Sequence, residues 1–422
     1  MKDKYFNNQQ MKALYLKSYY FPESLASSYL GTQTQEAMAR EGIKMELYTP
    51  MPSRGIDKQT RKIYSKLRVE HKMDGMLTIR RFPLFAEKKS LALRALRYTL
   101  QCIKLFNRGV FAKAAKDVDV IMAASTPPIL GPTAALIKMI RHKPIIYNLQ
   151  DIFPDSLVGT GMTHKGSMLW KIGRCLENFT YRHCDKIIVV SEEFKRNIMA
   201  KGVPSDKIEV IYNWVDENVV IPVPKAENPL YEELGVDRSK FTVVYAGNLG
   251  NAQNIDIIID AAARLKDKEN IQFVIFGTGG LEEDIRGRIS EDRLTNLSLH
   301  PLQPYEKVSQ VYSLGDVCIV SCKAGLGGSA MPSKTWSIMS CGRPVLANFD
   351  KGELKTILES WGCGVFTQAN DLHGFVAAIE ALATAPEKCV SMGEAGRKFI
   401  LENLTKDAGT KKYIDVIKSV AQ

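Results

Sequence analysis

The stretch Lys323-Ala-Gly-Leu-Gly-Gly-Ser-Ala-Met-Pro-Ser-Lys-Thr-Trp-Ser-Ile-Met-Ser-Cys-Gly-Arg-Pro344 decides the fold. Its glycines follow an apolar run of strand length and predict a loop, Pro332 suits the first turn of a helix, and Gly342 ends that helix. Free backbone N–H groups and the positive end of the helix dipole meet at such a helix start and favour an anion. The side chains that can supply ammonium groups and a hydroxyl to a diphosphate there are Lys323, Ser333 and Lys334.

Apolar runs of strand length recur on both sides of this stretch, separated by segments long enough for helices. They are apolar throughout rather than alternating, which is typical of a parallel sheet covered on both faces. We therefore predict an α/β fold. The predicted strands are residues 13–16, 45–48, 118–123, 144–147, 186–190 and 209–211, followed by 241–245, 271–276, 297–300, 317–320, 344–347 and 365–366.

The 422 residues leave room for two domains with complete cores. After Asn213 the chain turns polar and proline-bearing through residues 221–224, between the two series of strands, which indicates a linker. We predict an N-terminal domain over residues 11–213, a C-terminal domain over 225–404, and a last helix, about 405–422, that packs back on the first domain. Two doubly wound domains facing across a cleft would place a ligand at the carboxyl ends of their strands.

Charge divides unevenly along the chain. Residues 1–210 hold 35 Lys and Arg against 19 Asp and Glu, which is +16, and the remainder holds 22 against 27, which is −5. The first domain is therefore predicted to face an anionic partner: nucleic acid, a lipid surface or a phosphorylated acceptor. An excess of solvated lysines is the alternative. No zinc-finger spacing, RNA-binding signature or basic heptad supports nucleic acid.

Residues 54–108 carry most of this excess, with 15 basic and 4 acidic side chains. Residues 87–108 predict a long helix with apolar and basic positions, of the kind that lies on an anionic lipid surface. The alternative is an amphipathic core helix with a solvated basic face. The side chains expected at the membrane or acceptor surface are Lys88, Lys89, Arg94, Arg97, Lys104 and Arg108.

The sequence contains no run of 18 apolar residues, and its first ten residues lack the apolar core of a signal peptide. We expect a cytoplasmic protein, peripheral on the inner face of the cell membrane. The eight cysteines lie mostly far apart in apolar segments, as reduced buried thiols do, and we expect no metal site.

Two more glycine-rich turns follow predicted strands of the second domain. They are Tyr245-Ala-Gly-Asn-Leu-Gly250 and Phe276-Gly-Thr-Gly279. Glycines let a backbone approach a ligand closely at the end of a strand. Neither turn is the dinucleotide fingerprint, which needs three glycines and a later acid on the ribose.

Together these motifs resemble those of the family 4 retaining glycosyltransferases of the GT-B fold. The chain is most similar to the bacterial branch that adds deoxy-amino sugars such as fucosamine during O-antigen or capsule synthesis. The segments that carry the resemblance, in order, are Gly31, Asn148-Leu-Gln-Asp-Ile-Phe-Pro-Asp155, Val190-Ser-Glu192, Ile211-Tyr-Asn-Trp-Val-Asp216, Val244-Tyr-Ala-Gly-Asn248, Phe276-Gly-Thr-Gly279 and Pro332-Ser-Lys334.

The resemblance implies that the C-terminal domain holds a nucleotide-diphosphate sugar and the N-terminal domain the acceptor. Asp151 would then lie near the reacting sugar, although it can also cap a turn before Pro154. Gly31 would let backbone approach the donor phosphates. The residues implied around the diphosphate are Gly247, Asn248, Lys323, Ser333 and Lys334, and those implied near the base are Gly277, Gly279, Leu302 and Gln303.

One departure from the family concerns two glutamates that relatives carry with seven residues between them. Ser329 and Ser337 stand at those places here. Another group must then bind the ribose, and Glu353 is our candidate. The sugar would be bound by backbone amides of residues 325–328, including Gly327 and Gly328.

The resemblance therefore implies a retaining glycosyltransferase that moves a deoxy-amino hexose from a nucleotide donor, with UDP as the expected nucleotide. A basic first domain suits a lipid-bound, phosphorylated acceptor such as a polyprenyl-diphosphate-linked saccharide. Amides and lysines can stabilise the leaving diphosphate, so we expect no metal and no cofactor. The alternatives are a nucleotide-sugar 2-epimerase, although all six histidines lie outside the motifs, and a non-catalytic nucleotide-sugar-binding subunit.

Overall fold

A computed structural model describes residues 10–23, 28–88, 90–159, 161–327 and 331–421. The chain forms two compact units. The first comprises Met1–Val158, Thr163–Tyr212 and Gly409–Gln422, and the second comprises Gly159–Met162 and Asn213–Ala408. Each unit is an α/β sheet of mainly parallel strands with helices between them, so the predicted fold class is confirmed.

The first unit contains one eight-stranded sheet with the order β3-β4-β2-β1-β5-β6-β7-β8. All neighbouring strands are parallel except β3 and β4, which are antiparallel. The strands are β1 (Lys12–Leu16), β2 (Lys44–Pro50), β3 (Val69–Lys72), β4 (Leu77–Phe82), β5 (Val120–Ala124), β6 (Ile145–Leu149), β7 (Lys186–Val189) and β8 (Ile208–Val210).

Helices connect these strands. Of these, α3, α4 and α6 pack side by side in chain order, as right-handed crossovers on one face of a parallel sheet require. The helices are α1 (Ser28–Arg40), α2 (Lys58–Lys66), α3 (Leu91–Phe111), α4 (Leu130–Arg141), α5 (Asp155–Gly159), α6 (Met168–His183) and α7 (Glu192–Ala200).

The second unit contains a six-stranded, fully parallel sheet with the order β11-β10-β9-β12-β13-β14. Its strands are β9 (Phe241–Asn248), β10 (Ile271–Thr278), β11 (Leu297–His300), β12 (Val317–Ser321), β13 (Val345–Phe349) and β14 (Gly364–Gln368). The remaining helices are α8 (Leu230–Glu233), α9 (Asp256–Arg264), α10 (Glu282–Glu291), α11 (Val308–Ser313), α12 (Lys334–Ser340), α13 (Glu353–Trp361), α14 (Leu372–Ala383), α15 (Pro386–Asn403) and α16 (Lys406–Ala421).

Strand order in each sheet reverses at its first strand. In the first unit β1 lies between β2 and β5, and in the second β9 lies between β10 and β12. Outside the carboxyl ends of the strands, such a switch point leaves a crevice in which α/β proteins bind ligands. The glycine-rich turn after β9 and the loop after β12 therefore meet at the switch point of the second unit.

The sequence did not reveal the β3–β4 hairpin. It lies in the basic segment 54–108, part of which was expected to lie on a lipid surface, but β4 is an inner strand of the sheet, and its Leu77, Ile79 and Phe82 are fully buried. The turn between the strands contains Asp74-Gly75, and both residues have positive φ. An Asp-Gly pair between two short strands is a hairpin signal, so this element was predictable.

Helix α3 has the opposite orientation from the one that its sequence predicted. Arg97 is fully buried and donates to the carbonyl oxygen of Phe85, so its assignment to a membrane surface is wrong. Arg94 pairs with Glu87, and Lys104 donates to the carbonyl oxygen of Pro83, so these basic side chains also bend toward the protein. The large exposed side chains of α3 include four apolar ones, Leu93, Leu96, Ile103 and Phe111, beside the polar Thr99 and Asn107.

The other basic residues of this segment differ in their surroundings. Arg108 lies over the ring of Phe82, 4.6 Å from its centroid, and donates to the carbonyl oxygen of Lys104. Lys88 is exposed, and Lys89 lies outside the described residues. Across the described residues, no helix combines the length and the apolar content needed to cross a bilayer.

Candidate functional site

Lys334 is the most unusual side chain at the switch point of the second unit. Its Nζ has no solvent contact and no hydrogen-bond partner among the described residues. The ammonium group lies over the face of Tyr245, 4.0 Å from the ring centroid. Burial lowers the pKa of Lys334 to about 7. Because a buried ammonium group without a hydrogen-bond partner is costly, this arrangement indicates a place for an anion.

Gly247 provides the room that Lys334 occupies. A Cβ atom on Gly247 would lie 2.5 Å from Nζ of Lys334, and the φ of Gly247 is +153°. The hydroxyl of Tyr245 donates to the carbonyl oxygen of Asn248 at 2.8 Å and so fixes the end of β9. The structure thus brings together Gly247, Asn248 and Lys334, three of the residues predicted around a diphosphate.

Lys323 is held beside the loop that follows β9. Its backbone N–H donates to the carbonyl oxygen of Ala252 at 3.0 Å. The hydroxyl of Ser321 donates to the carbonyl oxygen of Gln253 at 2.7 Å, and the amide of Asn248 donates to the side chain of Gln253 at 3.1 Å. These contacts join the ends of β9 and β12, as the predicted site requires.

A network of asparagines supports this edge of the sheet, and the sequence analysis did not find it. Asn254 and Asn370 both have left-handed backbones, and the Asn254 amide donates to the Asn370 side chain at 3.0 Å. Asn348 accepts from the Asn370 N–H at 3.1 Å and donates to Thr367 at 2.9 Å. The sequence signal for this network was asparagine outside helices and strands, at Asn254 and Asn370, because asparagine tolerates the left-handed conformation.

The glycine-rich loop after β12 is tied down by Asp350, another residue that sequence reasoning missed. One carboxylate oxygen of Asp350 accepts from the backbone N–H groups of Gly325 and Gly327, each at 2.8 Å. Those two amides are therefore not free to bind a sugar, contrary to our expectation. Gly328 and Ser329 lie outside the described residues.

Gly277 and Gly279 have a structural reason to be glycine. A Cβ on Gly277 would lie 2.6 Å from the carbonyl oxygen of Gly247, and one on Gly279 would lie 2.3 Å from that of Leu249. The backbone that lies close to these glycines therefore belongs to the end of β9 and the residue that follows it. Their predicted role near a base stays a prediction.

Three further predicted donor residues lie in the second unit. Ser333 precedes α12 and is exposed, and its side chain does not cap the helix. Gln303 follows β11, and its amide donates to the carbonyl oxygen of Pro301 at 3.1 Å. Glu353 is the buried first residue of α13. Their contacts with a donor stay predictions.

In the first unit, Asp151 follows β6 as predicted. Asp151 is exposed as a residue, but the protein around its carboxyl raises the pKa of that group, while hydrogen bonds from Ser156 and from the N–H of Ile152 act to lower it. These bonds agree with the turn-capping alternative, and the catalytic role stays a prediction. Gly31 lies in the first turn of α1, where a Cβ would be 2.8 Å from Nζ of Lys17.

Two sequence models of known families match the chain. The one described as "Glycosyltransferase Family 4" matches residues 32–219, and the one described as "Glycosyl transferases group 1" matches residues 229–399. The chain belongs to the GT-B glycosyltransferases. The first match covers most of the first unit, and the second covers the part of the other unit that contains Lys334.

Relatives and a solved structure agree with this assignment. This glycosyltransferase is 25% identical to the "Probable glycosyltransferase WbjE" of Pseudomonas aeruginosa over 79% of this chain and 82% of the relative. It is 23% identical to the "Putative colanic acid biosynthesis glycosyl transferase WcaI" of Escherichia coli, over 97% of this chain and all of the relative. Anabaena HepE in complex with UDP shares the fold with a TM-score of 0.70 and 16% identity, covering 97% of this chain and all of HepE.

Proposed function

We propose that this glycosyltransferase moves a sugar from a UDP-sugar to a lipid-linked saccharide in the synthesis of a bacterial surface polysaccharide. The observation that carries the proposal is the buried, unpartnered ammonium group of Lys334 at the switch point of the second unit. A nucleotide diphosphate is the anion that this site would take. The name of WcaI, a putative colanic acid biosynthesis glycosyl transferase, supports the assignment to polysaccharide synthesis.

The choice of uridine rests on a structural relative. HepE, whose fold this chain shares, has been crystallised with UDP and with UDP-glucose. The donor sugar that we propose is a deoxy-amino hexose of the fucosamine type, as the sequence resemblance implies.

The protein mainly has to stabilise charge on the leaving group, because a nucleoside diphosphate is already a good leaving group. The bond between the anomeric carbon and the β-phosphate oxygen breaks, and a bond to an acceptor hydroxyl oxygen forms on the same face of the sugar. The departing diphosphate takes the proton of the acceptor hydroxyl. Lys334 and Lys323 would stabilise the negative charge that develops on the diphosphate, without a metal ion.

The test of the donor site is a titration of UDP into the full-length protein and the Lys334→Met variant. A hydrogen bond between charged groups contributes roughly 1.5–3 kcal/mol, so the variant should bind UDP about 10- to 100-fold more weakly. Lys266→Met is the matched control, because Lys266 is an exposed lysine of the same unit. Equal affinity in Lys334→Met and the control would overturn the site.

Turnover needs a separate measurement. The full-length protein, UDP-N-acetylfucosamine and a polyprenyl-diphosphate disaccharide should yield a longer saccharide whose new bond has the anomeric configuration of the donor. Binding of UDP without transfer to any lipid-linked acceptor would favour the non-catalytic subunit. An inverted product would contradict the proposed retention.

We also propose that the first unit docks on an anionic membrane, through a different surface from the basic one predicted. Exposed apolar side chains cover the outer side of the packed helices α3, α4 and α6, and we name this surface the apolar helical face. It consists of Leu93, Leu96, Ile103, Phe111, Leu136, Met139, Ile140, Met168, Leu169 and Ile172.

An apolar surface spread over three adjacent helices is uncommon on a protein that meets only water. Lys171 on α6, Lys113 just after α3 and Lys165 just before α6 are exposed. Two contributions stabilise a protein on a membrane surface. Apolar side chains enter the boundary of the acyl chains, and lysines lie beside anionic headgroups. The enzyme would then reach a lipid-linked acceptor at the surface of the membrane that holds it.

Flotation with vesicles tests this surface. The wild-type protein should float with phosphatidylcholine vesicles that contain phosphatidylglycerol, and the triple variant Ile103→Ser, Phe111→Ser, Ile172→Ser should not. The matched control is Val390→Ser, Leu401→Ser, which removes exposed apolar side chains from the second unit. Flotation of the triple variant at the wild-type level would exclude the apolar helical face as the docking surface.

A further inference from the structure

Arg97 is an enclosed cation of the first unit, and its burial excludes the surface role that the sequence predicted. Its exposed fraction is 0%, the lowest of any described charged residue in that unit. Its Nη1 donates to the carbonyl oxygen of Phe85, whereas its Nε and Nη2 are buried without a hydrogen-bond partner among the described residues. Enclosing one whole edge of a guanidinium group without satisfying it costs free energy. This edge therefore indicates a place for a group that supplies two acceptor atoms.

The cluster around Arg97 lies at the carboxyl ends of three neighbouring strands. Glu23 belongs to the loop after β1, Ser53 to the loop after β2, and Phe85 follows β4. Ligands of doubly wound α/β sheets bind outside this end of the strands. Arg54, the neighbour of Ser53, is exposed, so the cluster lies close beneath the surface. The unsatisfied edge of Arg97 is thus placed where the first unit would meet a substrate.

Ser53 adds a second unsatisfied group to this cluster. Its hydroxyl oxygen is buried and has no hydrogen-bond partner among the described residues. The Ser53 N–H donates to the Glu23 carboxylate at 2.7 Å, and the Arg54 N–H donates to the same oxygen at 2.8 Å. Burial lowers the pKa of Arg97 and raises that of Glu23, and each charge opposes the shift of the other, so the two groups are near neighbours. Two side chains with unsatisfied polar atoms therefore lie beside one carboxylate.

The charges around Arg97 leave one positive charge uncompensated. Glu87 and Arg94 form an ion pair at 3.2 Å. The other charges with the largest effect on Arg97 are the negative charge of Glu23 and the positive charge of Arg61. A ligand with a single negative charge would balance this cluster, whereas a dianionic phosphate would leave an excess of negative charge beside Glu23.

We infer that Arg97 binds the carboxylate of an acidic sugar, such as a uronic acid, in the acceptor saccharide. The inference rests on the proposed function, in which the first unit holds the acceptor. Nε–H and Nη2–H lie side by side in the guanidinium plane and match the two oxygen atoms of a carboxylate. The Ser53 hydroxyl is placed to bond a neighbouring sugar hydroxyl. Arg97 would thus select an acidic acceptor over a neutral one.

Saturation-transfer NMR with the full-length protein tests this selection. The probes are methyl glucuronide, which has a carboxylate, and methyl glucoside, which is its neutral counterpart. The wild type and the control Arg40→Met, which changes an exposed arginine of the same unit, should bind the glucuronide at least about tenfold more tightly than the glucoside. Arg97→Met should bind both probes equally. Equal binding by the wild type, or a full preference in Arg97→Met, would overturn the inference.

Arg97→Lys separates the geometry of the guanidinium group from its charge. The variant keeps the positive charge but lacks the paired donors, so it should lose most of the preference for the glucuronide. A full preference in Arg97→Lys would overturn the bidentate contact. UDP affinity in both Arg97 variants should match that of Arg40→Met, because Lys334 belongs to the other unit.

Hydrogen exchange of the wild-type protein does not depend on the folding of a variant. Methyl glucuronide should slow exchange severalfold in peptides that span residues 18–23 and 94–101, and methyl glucoside at the same concentration should not. Unaltered exchange in both peptides would overturn the inference.

Glucose 6-phosphate distinguishes a carboxylate from a phosphate as the bound group. The wild type should bind it more weakly than the glucuronide, because the cluster has one positive charge to offer. Tighter binding of glucose 6-phosphate that is lost in Arg97→Met would overturn the assignment to a carboxylate.

Titration of UDP separates the inference from the proposed function. If UDP binding depends on Lys334 while the wild type does not prefer the glucuronide, the donor site stands and the acidic-sugar site falls. If UDP does not bind but the preference for the glucuronide depends on Arg97, the proposed donor falls and the acidic-sugar site of the first unit stands.

Discussion

A Cβ atom on Gly247 would lie 2.5 Å from Nζ of Lys334, so the glycine at the end of β9 and the lysine at the start of α12 depend on each other. Real Cβ atoms do not approach other atoms so closely. The ammonium group can therefore reach the face of Tyr245 only because residue 247 lacks a side chain. Two motifs that are far apart in the sequence form one site through this contact.

Gly247→Ala should weaken UDP binding about tenfold or more, because the new methyl group displaces the Lys334 ammonium group from its place. The variant should also lower the free energy of unfolding by at least about 1 kcal/mol, since a side chain is strained at this positive φ. Titration of UDP and urea unfolding measure the two effects. Gly280→Ala is the control, because no atom lies within 4 Å of its added Cβ. Equal behaviour of the two variants would contradict the dependence.

Lys334→Met should have opposite effects on the free protein and on the complex. Without a ligand, the variant removes an ammonium group that is buried and unpartnered, so its free energy of unfolding should rise by roughly 1–3 kcal/mol. With saturating UDP, the wild type should be the more stable of the two proteins, because it binds UDP more tightly. Thermal unfolding with and without UDP checks this reversal in the order of stability. A variant less stable than the wild type in both conditions would mean that Lys334 serves the fold rather than a ligand.

The sheet and most of its strands could be predicted from the sequence because buried parallel strands are apolar at every position. The predicted strand at residues 297–300 matches β11, and most others differ by a few residues at their ends. The β3–β4 hairpin was missed because an edge strand such as β3 lacks that apolar run. Three of its four residues are polar or charged, namely Glu70, His71 and Lys72.

The face of α3 could not be predicted because its composition is ambiguous. Apolar and basic residues alternate in a way that permits either face to be buried. The more apolar face of a helix is usually the buried one. Here the buried positions include Arg97 and Gln101, which find polar partners in Phe85 and Ser18. Only the neighbouring elements supply those partners, so local periodicity carried no signal of them.

The proposed diphosphate site was predictable in part. Lys334, Gly247 and Lys323 could be placed because glycines and lysines after strands are visible in the sequence. Asp350 could not, because its role depends on hydrogen bonds to Gly325 and Gly327 in a loop that precedes it in the chain. A carboxylate that orders a loop looks in the sequence like any other acidic residue.

UDP binding should weaken as the pH rises above about 7. The pKa of Lys334 is lowered to about 7 in the free protein, so a rising fraction of the lysine is neutral above that pH, while UDP stays anionic. The dissociation constant should increase by up to about tenfold per pH unit until the higher pKa of the complex is reached. Lys334→Arg, which stays protonated, should lose this dependence. A flat profile in the wild type would show that another cation binds the diphosphate.

The free energy of unfolding should show the same titration with the opposite sign. The unfolded chain keeps its Lys334 proton up to its ordinary pKa of 10.5, whereas the folded protein releases it above about 7. Because the unfolded state binds more protons between these values, the wild type should gain stability relative to Lys334→Met as the pH rises through this window. Urea unfolding of both proteins across the window measures the difference. A constant difference would contradict the lowered pKa.

Asp350→Ala should free the glycine-rich loop without unfolding the unit. The carboxylate accepts two backbone N–H groups at 2.8 Å, and bonds of this kind to a charged acceptor contribute roughly 1.5–3 kcal/mol when shielded from water and less when exposed. Hydrogen exchange at Gly325 and Gly327 should therefore accelerate about tenfold or more. UDP affinity should fall, because Lys323 lies at one end of this loop and Lys334 follows its other end. The exposed Asp267→Ala is the control, and unchanged exchange at both glycines would mean that Asp350 does not order the loop.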